Sequence, residues 1–160
     1  MLNPARLPAS DPRAKGPGEG QNAHADYIPD PLVVRASIQF YTQADGKEAS
    51  TTPDITVQCK DDGPVLVERY ALLGTGEFTY QTNLISPDYG LMLANVQATR
   101  SMVTGGIYIV HIVTDGDDGW DFVPILTLSY NDGSESQSKG AWTRLAVGNS
   151  ADIDSAQYTI

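Results

Sequence analysis

The chain has a single cysteine, Cys59, among 160 residues. That excludes an intrachain disulfide. With two histidines, His24 and His111, it also excludes the common structural zinc patterns, which need several Cys or His at fixed spacing. Cys59 falls in an apolar alternation and reads as a small buried hydrophobe rather than a reactive thiol. Basic residues are scarce too: 10 Lys and Arg stand against 20 Asp and Glu, a net charge of −10, with a pI of about 4.3. Phosphate backbones are held by clustered Lys and Arg, so this scatter argues against nucleic acid as a partner. It also disfavours an anionic membrane surface unless a cation bridges the two. No apolar run reaches the roughly 20 residues of a transmembrane helix. The N-terminal MLNPARLPASDPRAKG has no apolar core of the kind a secretory signal carries, which predicts synthesis in the cytoplasm. There is no Gly-x-Ser-x-Gly elbow and no phosphate-cradling glycine loop before a helix, so the chain is expected not to be an enzyme.

What is present is organised in two parts. Residues 1–31 contain Pro4, Pro8, Pro12, Pro17, Pro29 and Pro31 with Gly16, Gly18 and Gly20, and few large apolar side chains. Such a segment cannot bury enough surface to offset its ordering entropy, which predicts a disordered or extended arm. From Leu32 to residue 160 the period changes to two. Val34, Ala36, Ile38 and Phe40 alternate with polar neighbours, as do Ile55, Val57 and Cys59; these are half-buried strands. Further strands are predicted over residues 65–73, 77–82, 91–99, 107–114, 122–130 and 142–147, with a short pairing at 157–160. The 91–99 strand slips phase near Asn95, where a bulge would restore it. Asp61-Asp62-Gly63-Pro64 and Asn131-Asp132-Gly133 are turn signals, the second of the hairpin kind. No segment holds a 3.6 period with caps. Many short strands spaced by such turns predict an all-β fold: an antiparallel, eight-stranded β-sandwich, jelly-roll-like or of a related topology, with an extended N-terminal arm.

Residues 105–133, GGIYIVHIVTDGDDGWDFVPILTLSYNDG, hold the two most apolar runs. Both are apolar on each face, which predicts central strands. Pro124 cannot donate to a ladder, so it belongs at a strand start, a bulge or an edge. His111, between Val110 and Ile112, is expected to be a packed structural histidine. Between the runs lies an acidic loop. Asp115, Asp117, Asp118 and Asp121 are hard oxygen donors, and Ca²⁺ takes six to eight such oxygens; the alternative is a solvated turn whose Asp and Gly serve backbone geometry alone. The loop is not an EF-hand, because Trp120 and Leu126 stand where Gly and Glu are required. Trp120 has two readings as well: a plug folded onto the end of the core, or a binding residue that stacks on a sugar or enters a lipid headgroup. Trp142 is expected in the core beside Leu145.

Several of these elements together resemble the PLAT/C2-like β-sandwich group. They are Tyr41-Thr-Gln-Ala-Asp-Gly-Lys-Glu48, Thr52-Pro-Asp-Ile-Thr-Val57, the strand from Ile107, Asp117-Asp-Gly-Trp-Asp-Phe122 and Leu126-Thr-Leu-Ser-Tyr-Asn-Asp-Gly133. The resemblance spans residues 32–134. It implies an eight-stranded sandwich that binds lipid, sugar or protein through its end loops, in some cases with Ca²⁺, and it implies that Asp45 approaches Asp115 and Asp117. The chain departs from that group in lacking basic or apolar loop tips and in carrying the Pro/Gly arm.

Two functions of different class follow as expectations. One is a non-catalytic interaction module with protein partners, its end loops (residues 42–53 and 114–121) forming the recognition surface. The other is a self-assembling, homo-oligomeric structural subunit of a larger body, such as a virus or phage particle or a filament, whose arm packs on neighbouring subunits.

Overall fold

The computed structural model of the chain describes residues 28–43, 46–47, 50–73, 81–113, 119–146 and 154–160. Among these, nine strands form two antiparallel sheets. The strands are β1 (Val33–Thr42), β2 (Thr52–Gln58), β3 (Val65–Ala71), β4 (Tyr89–Leu91), β5 (Ile107–Val113), β6 (Gly119–Tyr130), β7 (Glu135–Lys139), β8 (Thr143–Ala146) and β9 (Ser155–Thr159); one short helix, α1 (Arg100–Val103), precedes β5. One sheet runs β4-β1-β6-β7, with β8 also on β6, and the other runs β3-β2-β5-β9. The predicted all-β antiparallel sandwich is therefore the fold.

The two apolar runs are interior strands, one in each sheet. β5 lies between β2 and β9, and β6 between β1 and the β7/β8 edge. Their inward positions supply much of the core: Tyr108, Val110 and Ile112 from β5, and Trp120, Phe122, Leu126 and Leu128 from β6. These face Ala36, Ile38 and Phe40 of β1 and Ile55 and Val57 of β2, all fully buried. Cys59 is buried as expected, and burial pushes its thiol up from the ordinary value.

Pro124 sits in the middle of β6, at neither end. Phe40 pairs with Pro124, yet the Phe40 amide and carbonyl are bonded to Ser86 on the β4 side. The ring nitrogen of Pro124 therefore faces the opposite edge. There β6 changes partner, from β8 at residues 119–122 to β7 at residues 125–129. The missing N–H falls in that gap, and the Pro124 carbonyl accepts from Gly140 N at 2.8 Å. A proline inside a central strand is tolerated where no ladder bond is required of it.

Three expectations need correction. Residues 92–98 hold no strand, and Thr99 makes only an isolated bridge to Leu32; Asn95 Oδ1 accepts from Gln97 N at 2.9 Å, an Asx turn where a bulge had been expected. Trp142 is 54% exposed. Leu145 points inward from β8, and a residue three positions earlier in the same extended run has the opposite parity. A ninth strand was missed: β7, Glu-Ser-Gln-Ser-Lys, is an edge strand with no apolar residue. The expected strand at residues 77–82 lies almost wholly outside the described residues.

The turn signals hold. Asp61 and Asp62 both have positive φ, +56° and +54°, and Gly63 N donates back to Lys60 O at 2.9 Å, the geometry of a type I′ turn. Gly133, at φ +82°, closes the β6–β7 hairpin.

One end of the sandwich is tied by many short contacts. Pro31 O accepts from Arg100 N, Leu32 O from Asn131 N, and Gly105 N donates to Ile160 O. Asp30, which composition groups with the arm, is bonded through its carboxylate to the backbone and hydroxyl of Ser101. Asp132 receives Ser134 and Arg100, and the Arg100 guanidinium lies 4.4 Å over the Tyr130 ring. The bonds from Ser101 hold the Asp30 carboxyl below its ordinary range, and those from Ser134, with Arg100 beside them, do the same for Asp132. A depressed folded-state value means stability that is present above the unfolded value and lost as pH falls through the folded one. The melting temperature should therefore be flat above about pH 5 and fall below about pH 4, and the fall should be shallower in Asp132→Asn. Melts of the two proteins across pH 3–6, superimposable after normalisation, would show that this latch contributes nothing.

Candidate functional site

The strand registers place four connections at the other end. Thr42 pairs with Phe122, Thr52 with Val113, Asp54 with Ala71 and Gly119 with Ala146; Ile112 N donates to Asp154 O. The chain thus leaves and rejoins the sandwich at this one end across residues 43–51, 72–84, 114–118 and 147–153. Because β5 and β6 belong to different sheets, the acidic connection 114–118 crosses from one sheet to the other.

Of the candidate ligands, Asp45, Asp115, Asp117 and Asp118 lie outside the described residues. Asp121 and Trp120 are described, and both are drawn into the body of the fold. Trp120 is fully buried. Its ring centroid lies 4.1 Å from Phe122 and 4.8 Å from Phe40, and its Nε1 donates to Thr42 Oγ1 at 3.1 Å. This is the plug. An indole enclosed by two phenyl rings has no face to offer a sugar or a headgroup, so Trp120 is corrected from a binding residue to a core residue.

Asp121 is on the outer side of β6, yet only 3% exposed. Arg144, its cross-strand neighbour on β8, approaches Oδ2 at 3.4 Å. The Asp121 backbone carbonyl accepts from Gln43 N at 2.9 Å. The side chain is thereby committed to an ion pair that staples β8 to β6 beneath the loops. Among the described residues no group of three or more His, Cys, Asp or Glu side chains stands together to hold a metal ion.

Other polar residues at this end gave no signal in the sequence. Lys47 is 1% exposed, and its ammonium donates to Thr51 O at 2.6 Å, which ties it to the residue before β2. A buried ammonium is stable only with such partners. Asp54 is paired with Arg69 at 2.9 Å. His111 is partly buried on the outer face of its sheet, Nδ1 3.8 Å from Asp154 Oδ2. Among the described residues, the floor of this end is thus a packed set of polar and aromatic groups from β1, β2, β5, β6 and β8. No family model, curated protein or solved structure matches the chain.

Proposed function

We propose that this chain is a non-catalytic β-sandwich interaction module that recognises its partner with the end from which the four connections leave. The observation that carries the reading is where they are anchored: the strand ends that begin and close four chain segments of five or more residues lie at one end of the sandwich. Recognition concentrates in loops held by such scaffolds, because loops vary freely while the scaffold fixes where they project. Asp45, Asp115, Asp117 and Asp118 all belong to these connections, which makes a calcium-assisted contact the chemistry of choice. Calorimetric titration with CaCl₂ should give saturable heat, with a rise in melting temperature at millimolar Ca²⁺. Both should vanish in Asp117→Asn/Asp118→Asn. Absence of heat and of any thermal shift in the parent chain removes calcium from the reading.

A second reading is favoured by the other end. Asp30 and Pro31 are fastened to α1, so residues 1–27 depart from the end opposite the four connections. Residues 1–15 hold Arg6, Arg13 and Lys15 against a single Asp11, opposite in sign to the chain as a whole. An arm of this length reaches on the order of 90 Å when extended and suits a structural subunit that grips an acidic neighbour. Deleting residues 1–27 keeps the Asp30 tie. Sedimentation that shows an oligomer for the full chain and a folded monomer for the deletion supports assembly, and a monomer in both cases sinks it.

A further inference from the structure

The outer face of the β3-β2-β5-β9 sheet carries a depression of about 210 Å³ lined by Thr56, Arg69, Ile109, His111 and Ser155. We propose that it binds one oxyanion group of a ligand, a carboxylate or a phosphate, with the Arg69 guanidinium as the principal contact. The site is built from strand residues rather than from the connections discussed above, which lie toward the same end, and it does not depend on their role.

The backbone points to it first. Between the pairs Ile55–Tyr70 and Val57–Val67 the register shifts. Thr56 alone on β2 therefore faces both Glu68 and Arg69 on β3, which is a bulge. Arg69 takes φ +26°, a left-handed conformation that an L-residue with a long side chain rarely adopts. Bulges re-aim side chains, and strained backbone persists where the surroundings require it. Here the bulge lays an arginine across its own sheet toward β2 and β5.

The chemistry of the lining is one-sided. Arg69 uses Nε on Asp54 at 2.9 Å, which fixes the plane of the guanidinium and leaves the terminal Nη groups for a ligand. His111 turns Nδ1 toward Asp154 at 3.8 Å, leaving Nε2. The hydroxyls of Thr56 and Ser155 stand alongside on neighbouring strands, and Ile109 forms an apolar wall. Asp54 and Asp154 orient Arg69 and His111 from behind, and neither they nor Glu68, the other residue opposite Thr56, line the depression. A guanidinium fork with two hydroxyls beside it offers donors, and planar or tetrahedral oxyanions are the groups that such forks bind two bonds at a time.

The test is a titration of the ¹⁵N-labelled full-length chain at pH 7 with sodium phosphate, and separately with sodium acetate, at an ionic strength held constant with NaCl. Saturable shifts are expected at Thr56, Arg69, His111 and Ser155, with dissociation constants in the millimolar range. Arg69→Lys keeps the charge and a partner for Asp54 but loses the fork, and should weaken binding about tenfold. Ser155→Ala should weaken it about threefold, the loss of one neutral hydrogen bond. Saturation by phosphate alone assigns a phosphorylated ligand, and saturation by both anions assigns a carboxylate-bearing one; either upholds the site. Shifts that grow linearly and match those from NaCl overturn it, as does saturable binding that Arg69→Lys leaves unchanged.

Discussion

Trp120→Ala should destabilise the fold by about 3–5 kcal/mol, enough to unfold much of the population if the parent chain has the usual stability of about 5–15 kcal/mol. The indole is fully buried between Phe40 and Phe122, so truncation leaves a cavity lined by two rings that cannot collapse without dragging β1 and β6 together. The change also strips Thr42 Oγ1 of its donor, a further loss of about 1 kcal/mol. In urea the midpoint should fall by about 2 M, given a slope of about 1–3 kcal/mol per molar for small proteins. Trp142→Ala is the matched control. That side chain is more than half exposed, and surface truncations of this kind usually cost within about 0.5 kcal/mol. Equal midpoints for the two variants would mean that the parity assigned to β6 and β8 is wrong.

Gly106→Ala should be nearly as damaging, although it adds only a methyl group. A Cβ at Gly106 would stand 2.4 Å from Gln58 O and 2.9 Å from Val103 O. Both are backbone atoms and neither can swing aside. Gly106 also donates to Val103 O and accepts from Ile160 N, so the displacement would reach α1, the end of β2 and the C-terminus together. Overpacking of this kind costs about 1–3 kcal/mol and sometimes more; with backbone on two sides the upper end is expected. Two other glycines calibrate it. Gly105→Ala meets nothing within 4 Å but sits at φ +81°, so it should cost about 1–2 kcal/mol from the left-handed conformation alone. Gly90→Ala has open space and no such φ, and should be nearly silent. Thermal melts of the three variants test the order, and a Gly106→Ala protein that melts with the parent would refute the close approach of Gln58.

The period of two revealed β1 and β2 in the sequence, and continuous apolar runs revealed β5 and β6, because each turns a face to the core. Turn chemistry found Asp61-Asp62-Gly63 and the hairpin at residues 131–133, where local backbone requirements leave few residue choices. The failures share a physical cause. β7 has no apolar residue to reveal it, since it borders solvent and is defined by hydrogen bonds to β6; the hairpin turn before it was its only trace. Asn95 makes a turn through a bond to Gln97, which no hydrophobic pattern records. At the candidate site, Asp121 looked like one loop carboxylate among four. Its partner Arg144 is brought to it by the β6–β8 pairing, a non-local event that spacing along the chain does not encode. Arg69 reaches Asp54 through a bulge, and a bulge is invisible to an alternation count.

The pairing of β1 with β6 sets the order in which this chain can come to rest. Thr42 meets Phe122 and Val33 meets Tyr130, contacts between residues about eighty to a hundred positions apart, and closing loops of that length precedes any gain from the strands that they join. β1 leaves the ribosome well before β6, and it has no β6 to pair with until residue 130 has followed. Folds dominated by such distant pairings mature in about milliseconds to seconds rather than microseconds. Through that interval Val33, Ile38 and Phe40 are an exposed, unpaired strand, the kind of edge on which copies of a chain can pair.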